Sequence, residues 1–277
     1  MLRIYLGLIN LGNSCFLNSV LQCLTHLPPL ARILAEGKHK SDCAVPGFCV
    51  RCALETHVMR CLKSSNHRAI APKMIFDNLR KISRTLRPGR QEDAHEFTRF
   101  LFEKMDKTNV YNLFKGKLRS RVLCLKCQTC SDTNESMMDV SLEIKHAQSL
   151  EEALSRFMKR EMLNKDNQYR CSVCNQLCDA QKQISIRRAP QILTIHLKRF
   201  GFSRQFGSKI TRHIQFKPTL SLSPYMSKAS SDATYKLKAV LVHSGSSCHS
   251  GHYLSFVKGN DNAWYSSFNC LMKTSWC

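Results

Sequence analysis

The chain has 277 residues, of which 43% are hydrophobic and 22% are charged, and this is ample for a packed core of one large domain or two lobes. No apolar run approaches the roughly 20 residues of a membrane span, and the N-terminus lacks a signal-peptide pattern, so we expect no membrane association. The net charge of +22 fits either a nucleic-acid or acidic partner or a solvated basic surface. Because the basic residues are spread along the chain, we favour the solvated basic surface. We expect the protein to be located in the nucleus or the cytoplasm.

The first hundred residues are predicted to be mostly helical, since their apolar side chains recur at helical spacing. Pro28 and Pro29 are expected to stop the first helix, and residues 37–52 look like a loop. The predicted helices cover residues 16–27, 50–62 and 72–86, and a turn with a further amphipathic helix covers 87–105.

The second half is predicted to be rich in strands, which gives an α+β fold class. A short helix over 149–158 opens with Ser149-x-x-Glu152, the signature of a capping box, and residues 203–233 look like a loop. The predicted strands cover residues 115–124, 136–144, 181–188, 191–200, 235–244 and 252–259.

The stretch GLINLGNSCFLNSVLQCL (7–24) places Cys15 where the first helix begins. The positive end of a helix dipole favours the thiolate, the attacking species of a nucleophilic cysteine. The amide of Asn10 could donate to a developing oxyanion beside that thiol. The plain alternatives are a buried apolar cysteine and a turn asparagine.

A nucleophile needs a base, and HSGSSCHSGHYLSFVK (243–258) supplies three histidines. His252 directly precedes a predicted strand, and Gly251 removes side-chain bulk beside it, which suits a narrow channel for an extended substrate. His243 and His249 read equally well as loop or packing residues.

These two stretches resemble the cysteine box and the histidine box of the ubiquitin-specific proteases, which are papain-like cysteine deubiquitinases. GRQEDAHEF (89–97) and ILTIHLKRF (192–200) are similar to two further blocks of that family, in the same order. The branch with the QEDAHEF and LVHSG...CH.GHY blocks is the most similar. The resemblance implies a papain-like cysteine protease fold with a helical thumb, a β-rich palm and zinc-ribbon fingers.

The resemblance also implies roles for individual residues. Cys15 becomes the nucleophile, His252 the general base and Asn10 the oxyanion donor. Asp93 and Glu96 are expected to contact the basic C-terminal tail of ubiquitin. The domain is expected to be a single catalytic domain over 1–277, with a thumb over about 1–110 and fingers and palm over about 111–277.

Fifteen cysteines, an odd number with several C-x-x-C pairs, favour a reducing compartment and metal or thiol chemistry. The pairs Cys124/Cys127 and Cys171/Cys174 are separated by 43 residues and predict one tetrahedral structural zinc site; Cys130 and Cys178 are possible substitutes. Uncoordinated reduced thiols are the alternative. A second cluster, formed by His39, Cys43, Cys49 and Cys52, could also bind a metal. Uncoordinated loop or core thiols are an equally good interpretation of it.

Two departures from the family pattern bear on activity. The connection between Met105 and Phe114 is short, and the sequence after the histidine box ends without the final family strand, so the domain is expected to be C-terminally incomplete. If one residue is inserted there, Asn269 orients His252; without that insertion Phe268 occupies the position and the third group is missing. Loss of the orienting group can lower the rate by orders of magnitude.

The leading hypothesis is a thiol-dependent deubiquitinase that cleaves the isopeptide bond after the C-terminal glycine of ubiquitin. The first alternative is a catalytically impaired, ubiquitin-binding pseudoenzyme. The second is a zinc-ribbon protein that binds nucleic acid, which leaves the pairing of the cysteine and histidine boxes unexplained and predicts a salt-sensitive affinity.

Overall fold

The computed structural model describes residues 6–64, 68–105, 108–200, 209–228, 233–247, 250–268 and 271–275. The α-helices of these residues are α1 (Cys15–Thr25), α2 (Pro28–Ala35), α3 (Lys38–Asp42), α4 (Val50–Lys63), α5 (Lys73–Phe76), α6 (Leu79–Ile82), α7 (Ala94–Glu103), α8 (Asn109–Phe114) and α9 (Leu150–Phe157). Within the described ranges, every helix is too short or too polar to cross a membrane.

The strands are β1 (Gly116–Cys124), β2 (Cys130–Met137), β3 (Val140–Glu143), β4 (Glu161–Leu163), β5 (Tyr169–Cys171), β6 (Gln176–Cys178), β7 (Ala180–Arg188), β8 (Ile195–Lys198), β9 (Thr219–Ser221), β10 (Thr234–Lys236), β11 (Ala239–Ser247), β12 (Ser250–Lys258), β13 (Trp264–Phe268) and β14 (Leu271–Ser275). The chain divides into two compact units. The first, here the helical unit, contains α1–α7, most of α8 and β11–β14. The second, here the strand unit, contains β1–β10 and α9.

Helix α1 is the centre of the helical unit. Nine of its eleven residues are buried, so the helix is covered on nearly every side. Phe16 lies edge-on to Phe97 of α7, with the ring centroids 5.5 Å apart, an arrangement that aromatic pairs favour. The helix packs against α2, α7 and strand β12. The sequence thus places the start of α1 against both the QEDAHEF segment and the histidine box.

The sheet of the helical unit has the order β11-β12-β13-β14, with all neighbours antiparallel. Ser244 of β11 pairs with His252 of β12, and the register shifts between Ser244 and Ser247. The sequence predicted no strand after the histidine box and its Trp-Tyr pair. In the structure, Leu271–Ser275 instead form β14, which pairs with β13. This segment is too short to give a strand pattern of its own, and it pairs through the backbone.

The strand unit is built on a four-stranded antiparallel sheet of order β2-β1-β7-β4. One face covers a core that includes Leu142, Leu154 and Ile186, all buried. Strands β3 and β8 form a separate parallel pair. Helix α9 begins where the sequence predicts, because the Ser149 hydroxyl accepts a hydrogen bond from the Glu152 backbone N–H at 3.1 Å.

Several predicted boundaries are wrong. Pro28 does not follow the first helix directly but opens α2, a position that proline favours because its missing N–H needs no partner there. Residues 37–52 contain the short helix α3, and residues 72–86 form two short helices, α5 and α6, in place of one. Strand β2 was missed because its residues from Cys130 to Ser136 are all exposed, so no apolar alternation marks it.

Candidate active site and metal centres

A tight turn before α1 orients the side chain of Asn10. Its Oδ1 accepts hydrogen bonds from the backbone N–H of Gly12 and of Ser14 and from the Ser14 hydroxyl, each at 3.1 Å. The turn needs glycine at position 12, where φ is +96°. Because three donors occupy the amide oxygen, the NH2 group is the end of the side chain that remains for an acceptor outside the turn.

Cys15 is the first residue of α1, and it is buried, with 6% of its surface exposed. The preceding Ser14 uses its hydroxyl within the turn, where it also accepts from the Leu11 N–H at 2.9 Å. The side chain of Ser14 therefore does not cap the first N–H groups of the helix, and these donors lie beside the thiol.

The histidine box lies on β12, the strand against which α1 packs. Gln91, in the segment before α7, donates its amide to the carbonyl oxygen of Gly251 at 2.8 Å. The cysteine box, the QEDAHEF block and the histidine box therefore belong to one packed group within the helical unit. Asn269 lies outside the described residues, as does His249.

Tyr253, next to His252, links the histidine box to α7. Its hydroxyl lies 3.5 Å from Oδ2 of Asp93, and its ring packs against His243 with the centroids 4.8 Å apart. Burial, followed by the nearby charge of Asp93, raises the pKa of Tyr253 well above its usual range. Tyr253 therefore stays a neutral hydrogen-bond donor at physiological pH. No pattern in the sequence signals this role.

Lys209 is a second residue that sequence reasoning missed. Its ammonium group donates to the carbonyl oxygens of His243 at 2.6 Å and Gly245 at 2.9 Å, and so it fixes the shape of the irregular end of β11. Burial first, and then the charge of Lys209, lowers the pKa of His243. His243 is thus a packing residue within the histidine box, and its neutral form is favoured.

Asp93 and Glu96 occupy different positions on α7. Asp93 is its N-cap, and Oδ1 accepts from the Glu96 N–H at 2.7 Å. Asp93 is partly buried, whereas Glu96, on the first turn of the helix, is exposed. The structure therefore places Asp93 in the framework of the site and Glu96 nearer its surface.

Gly251 is required by the close approach of β11 and β12. Its φ is +147°, and a Cβ atom there would overlap the Ser244 carbonyl oxygen and lie 2.5 Å from Nε2 of His243. We expect Gly251→Ala to destabilise the protein by about 1–3 kcal/mol through this overlap and backbone strain. We also expect it to slow reaction at Cys15, because His252 is the next residue.

The matched control for this substitution is Gly37→Ala. Gly37 also has a positive φ, +65°, but no atom lies within 4 Å of the added Cβ, so only the left-handed backbone costs about 1–2 kcal/mol. Urea unfolding and the rate of thiol modification by an electrophilic probe separate the two variants. Equal modification rates for both would contradict the steric argument.

The two predicted C-x-x-C pairs form a first candidate metal centre in the strand unit. The four sulfur atoms of Cys124, Cys127, Cys171 and Cys174 all lie within 4.8 Å of one another. The Sγ–Sγ distances are 3.9 Å for Cys124–Cys174 and 3.7 Å for Cys127–Cys171. Zn–S bonds of about 2.3 Å in a tetrahedron give sulfur separations of about 3.8 Å, so the four residues fit a metal ion.

Residues around this quartet favour the ionised form of one of its thiols. Each second cysteine is followed by a residue with positive φ, Gln128 at 58° and Asn175 at 54°, so the two halves turn in the same way. The hydroxyl and N–H of Thr129 lower the pKa of Cys127 to about 6, whereas contact with Cys127 raises the pKa of Cys174. One thiol is thus readily ionised, which metal binding requires.

The two possible substitutes do not join the quartet. Cys130 is exposed at the start of β2, and Cys178 is buried beside the quartet at the end of β6. Neither belongs to the group of atoms within 4.8 Å of one another. Among the described residues every cysteine is free of disulfide bonds.

The second cluster predicted from the sequence is also brought together, in the helical unit. His39, Cys43, Cys49 and Cys52 place one ligand atom each within 4.8 Å of the others. Nε2 of His39 lies 3.2 Å from Sγ of Cys49. All four residues are partly buried.

Comparison with known proteins identifies the family. Residues 6–269 match the family model described as ubiquitin carboxyl-terminal hydrolase. The chain belongs to this family. Among its relatives it is 39% identical over 290 residues to human ubiquitin carboxyl-terminal hydrolase 42, covering 99% of this chain and 22% of the relative. It is 44% identical over 283 residues to ubiquitin carboxyl-terminal hydrolase 23 of Arabidopsis thaliana, covering 95% of this chain and 33% of the relative.

A third relative, the probable ubiquitin carboxyl-terminal hydrolase 16 of Schizosaccharomyces pombe, is 42% identical over 277 residues, covering 93% of this chain and 60% of the relative. The chain thus spans between about a fifth and three fifths of these relatives. Among solved structures, it is similar to the SAGA Ubp8/Sgf11/Sus1/Sgf73 DUB module bound to ubiquitin aldehyde. That match has a TM-score of 0.87 and 30% identity over 100% of this chain and 67% of the other.

A second solved structure, a SAGA DUB module of the same four proteins bound to monoubiquitin, gives a TM-score of 0.87 with 31% identity over 99% of this chain and 66% of the other. The family and the fold class predicted from the cysteine and histidine boxes are therefore confirmed. The cysteine quartet of the strand unit is consistent with the zinc-ribbon fingers of that fold.

Proposed function

We propose that this chain is a thiol-dependent deubiquitinase that cleaves the isopeptide bond after the C-terminal glycine of ubiquitin on protein conjugates. The observation that carries the proposal is the packing of α1, which begins at Cys15, against β12, which holds His252. Two solved relatives are bound to ubiquitin aldehyde and to monoubiquitin, respectively. We propose ubiquitin as the partner of this chain as well.

In the proposed reaction, the sulfur of Cys15 attacks the carbonyl carbon of the terminal glycine, and His252 takes up the thiol proton. The tetrahedral intermediate collapses with release of the lysine amine, which receives that proton from His252. Water, deprotonated by His252, then attacks the thioester and releases ubiquitin with a free carboxylate. The thiolate of Cys15 takes back the proton, and the enzyme is restored.

The negative charge on the carbonyl oxygen needs donors that are already in place. The side-chain NH2 group of Asn10 is one such donor, because hydrogen bonds from Gly12 and Ser14 to the side-chain oxygen fix the orientation of the amide. The first N–H groups of α1, which Ser14 does not cap, are others. Donors fixed in advance stabilise the intermediate without the cost of reorganisation.

For substrate binding we propose Asp93 and Glu96, both on the segment beside the histidine box. Glu96 presents a carboxylate to a basic peptide, whereas Asp93 contributes through its contacts with α7 and Tyr253. Asn269 is proposed to orient His252. We place the activity in the nucleus or the cytoplasm.

We further propose that the quartet of the strand unit holds a structural Zn²⁺ ion. Its four thiolates would complete a closed tetrahedral shell, with no position for water or substrate. The ion therefore contributes to folding of the fingers, and every chemical step above belongs to residues of the helical unit.

Reaction with ubiquitin that carries a C-terminal thiol-reactive group tests the proposed function. We expect an adduct one ubiquitin heavier with the wild-type chain and none with Cys15→Ala. Cys23→Ala is the matched control, since Cys23 lies two turns along the same helix and burial raises the pKa of its thiol to about 12. It should react like the wild type.

Turnover is measured separately with a ubiquitin–lysine isopeptide substrate. An adduct at Cys15 without turnover would overturn the hydrolase assignment in favour of a ubiquitin-binding pseudoenzyme. No adduct from folded, zinc-loaded protein would overturn the role of Cys15 as the nucleophile and would also favour the pseudoenzyme.

A further inference from the structure

The helical unit contains a group of metal-binding side chains that the proposed reaction does not use. His39 lies on α3, Cys43 directly follows that helix, Cys49 is the N-cap of α4 and Cys52 lies on its first turn. One imidazole and three thiols thus converge from two helices and the loop between them, within 4.8 Å of one another.

The geometry agrees with tetrahedral coordination. With Zn–N bonds of about 2.0–2.1 Å and Zn–S bonds of about 2.3 Å, the nitrogen and sulfur ligands of one ion lie roughly 3.6 Å apart. The observed separation of Nε2 of His39 and Sγ of Cys49 is 3.2 Å, which a small shift on metal binding would correct.

The local structure needs such a link. Helix α3 has five residues, none of them buried, and a helix of that length is not stable on its own propensity. The loop from Ala44 to Gly47 is exposed. Apart from the cluster, α3 is held to α4 by a hydrogen bond from the Lys40 N–H to the buried carboxylate of Glu55, at 3.0 Å. Little apolar burial is available to fix this segment.

We propose that His39, Cys43, Cys49 and Cys52 form a second structural Zn²⁺ site, which clips α3 and its loop to the start of α4. Three thiolates and one imidazole are soft ligands that favour zinc over magnesium, calcium or manganese. Four protein ligands close the coordination shell, so the site is structural. Binding releases the protons of the thiols as the metal–sulfur bonds form.

The site bears on the framework of the catalytic helix. Helix α4 packs against α2, and α2 packs against α1, the helix that begins at Cys15. The proposed clip therefore fixes α4, which is connected to α1 through α2. The cluster begins about two dozen residues after Cys15 in the chain. It is independent of the fingers quartet, which lies in the strand unit.

Native mass spectrometry of the purified chain, expressed with zinc, tests the proposal without any measurement of activity. The wild type is expected to carry two zinc ions. The double variant Cys49→Ser/Cys52→Ser should carry one, and so should Cys124→Ser/Cys127→Ser. Cys61→Ala should keep both, because Cys61 is a buried thiol of the same α4 helix that lies outside the cluster.

A variant that keeps four metal ligands distinguishes loss of the metal site from loss of folding. His39→Cys should still bind two metal ions, and after replacement by Co²⁺ its thiolate–cobalt absorption should exceed that of the wild type because one thiolate is added. A wild-type chain with one zinc ion, or a Cys49→Ser/Cys52→Ser variant that retains two, would overturn the proposal.

Discussion

Replacing Asn10 with alanine should lower kcat for a ubiquitin–lysine isopeptide about 100- to 1,000-fold, a loss of roughly 3–4 kcal/mol of transition-state stabilisation. KM should change little, because the oxyanion exists only in the transition state and the adjoining intermediate. Steady-state kinetics with one purified substrate gives both constants.

Asn10→Ala removes two things at once, the NH2 donor and the oxygen that organises the turn through Gly12 and Ser14. Asn10→Asp separates them. The aspartate keeps an oxygen to accept the three hydrogen bonds but replaces the donor with a negative charge. If the amide acts on the oxyanion, Asn10→Asp should lose at least as much kcat as Asn10→Ala.

The control for both variants is Asn13→Gly. Asn13 lies in the same turn, and its amide donates to the Gly89 carbonyl oxygen at 2.8 Å. Its φ is +50°, which glycine adopts without strain. We expect kcat within a few fold of wild type. Near-normal kcat for Asn10→Asp would show instead that Asn10 serves only the turn.

The parts of the candidate site could be located in the sequence because they lie in short, contiguous stretches. Cys15 at a helix start and His252 beside a strand pattern are visible as local features, and their pairing indicated the family. The structure places His252 within β12 and not before it. The sequence could not predict the shape of the turn, in which the side-chain amide oxygen of Asn10 accepts hydrogen bonds from Gly12 and Ser14. That arrangement decides which end of the amide can act.

The supporting residues were missed for a different reason. Lys209 reaches His243 and Gly245 across more than thirty positions of the chain, and Tyr253 approaches Asp93 across 160. Such contacts depend on tertiary packing, which has no periodic signature in a single sequence. Strand β2 escaped prediction similarly, since backbone pairing with β1 and the Arg121–Asp132 ion pair hold it, without apolar burial.

Removing one thiol of the fingers quartet should unfold the tip of the strand unit. Strands β5 and β6 have three residues each and pair only with one another within the described chain, and an isolated two-stranded hairpin of this size is not stable in water. The buried cluster beneath them consists of Cys124, Cys171 and Cys178, flanked by Tyr169 and the other two ligands. A hydrophobic core is thus nearly lacking there, and we expect the proposed zinc ion to supply the stability.

Structural zinc contributes on the order of 10 kcal/mol to the folding of small zinc domains at neutral pH. We therefore expect Cys171→Ser to lose one zinc ion and to remove hydrogen-exchange protection from β5, β6 and the end of β1. Protection around Phe97 in the helical unit should persist, since that buried residue belongs to a separate core. Exchange followed by mass spectrometry, with zinc content measured on the same sample, resolves both effects.

Cys130→Ser and Cys178→Ser are the controls, one exposed and one buried, and both lie outside the quartet. Each should retain the zinc ion, and Cys130→Ser should also keep wild-type protection. Cys178→Ser is expected to cost some stability, because it places a hydroxyl in the buried cluster. If Cys171→Ser kept both its zinc and its protection, Cys178 would have replaced the lost ligand and the assigned quartet would be wrong. The zinc content of Cys171→Ser therefore decides between a fixed set of four thiolates and an interchangeable set of five.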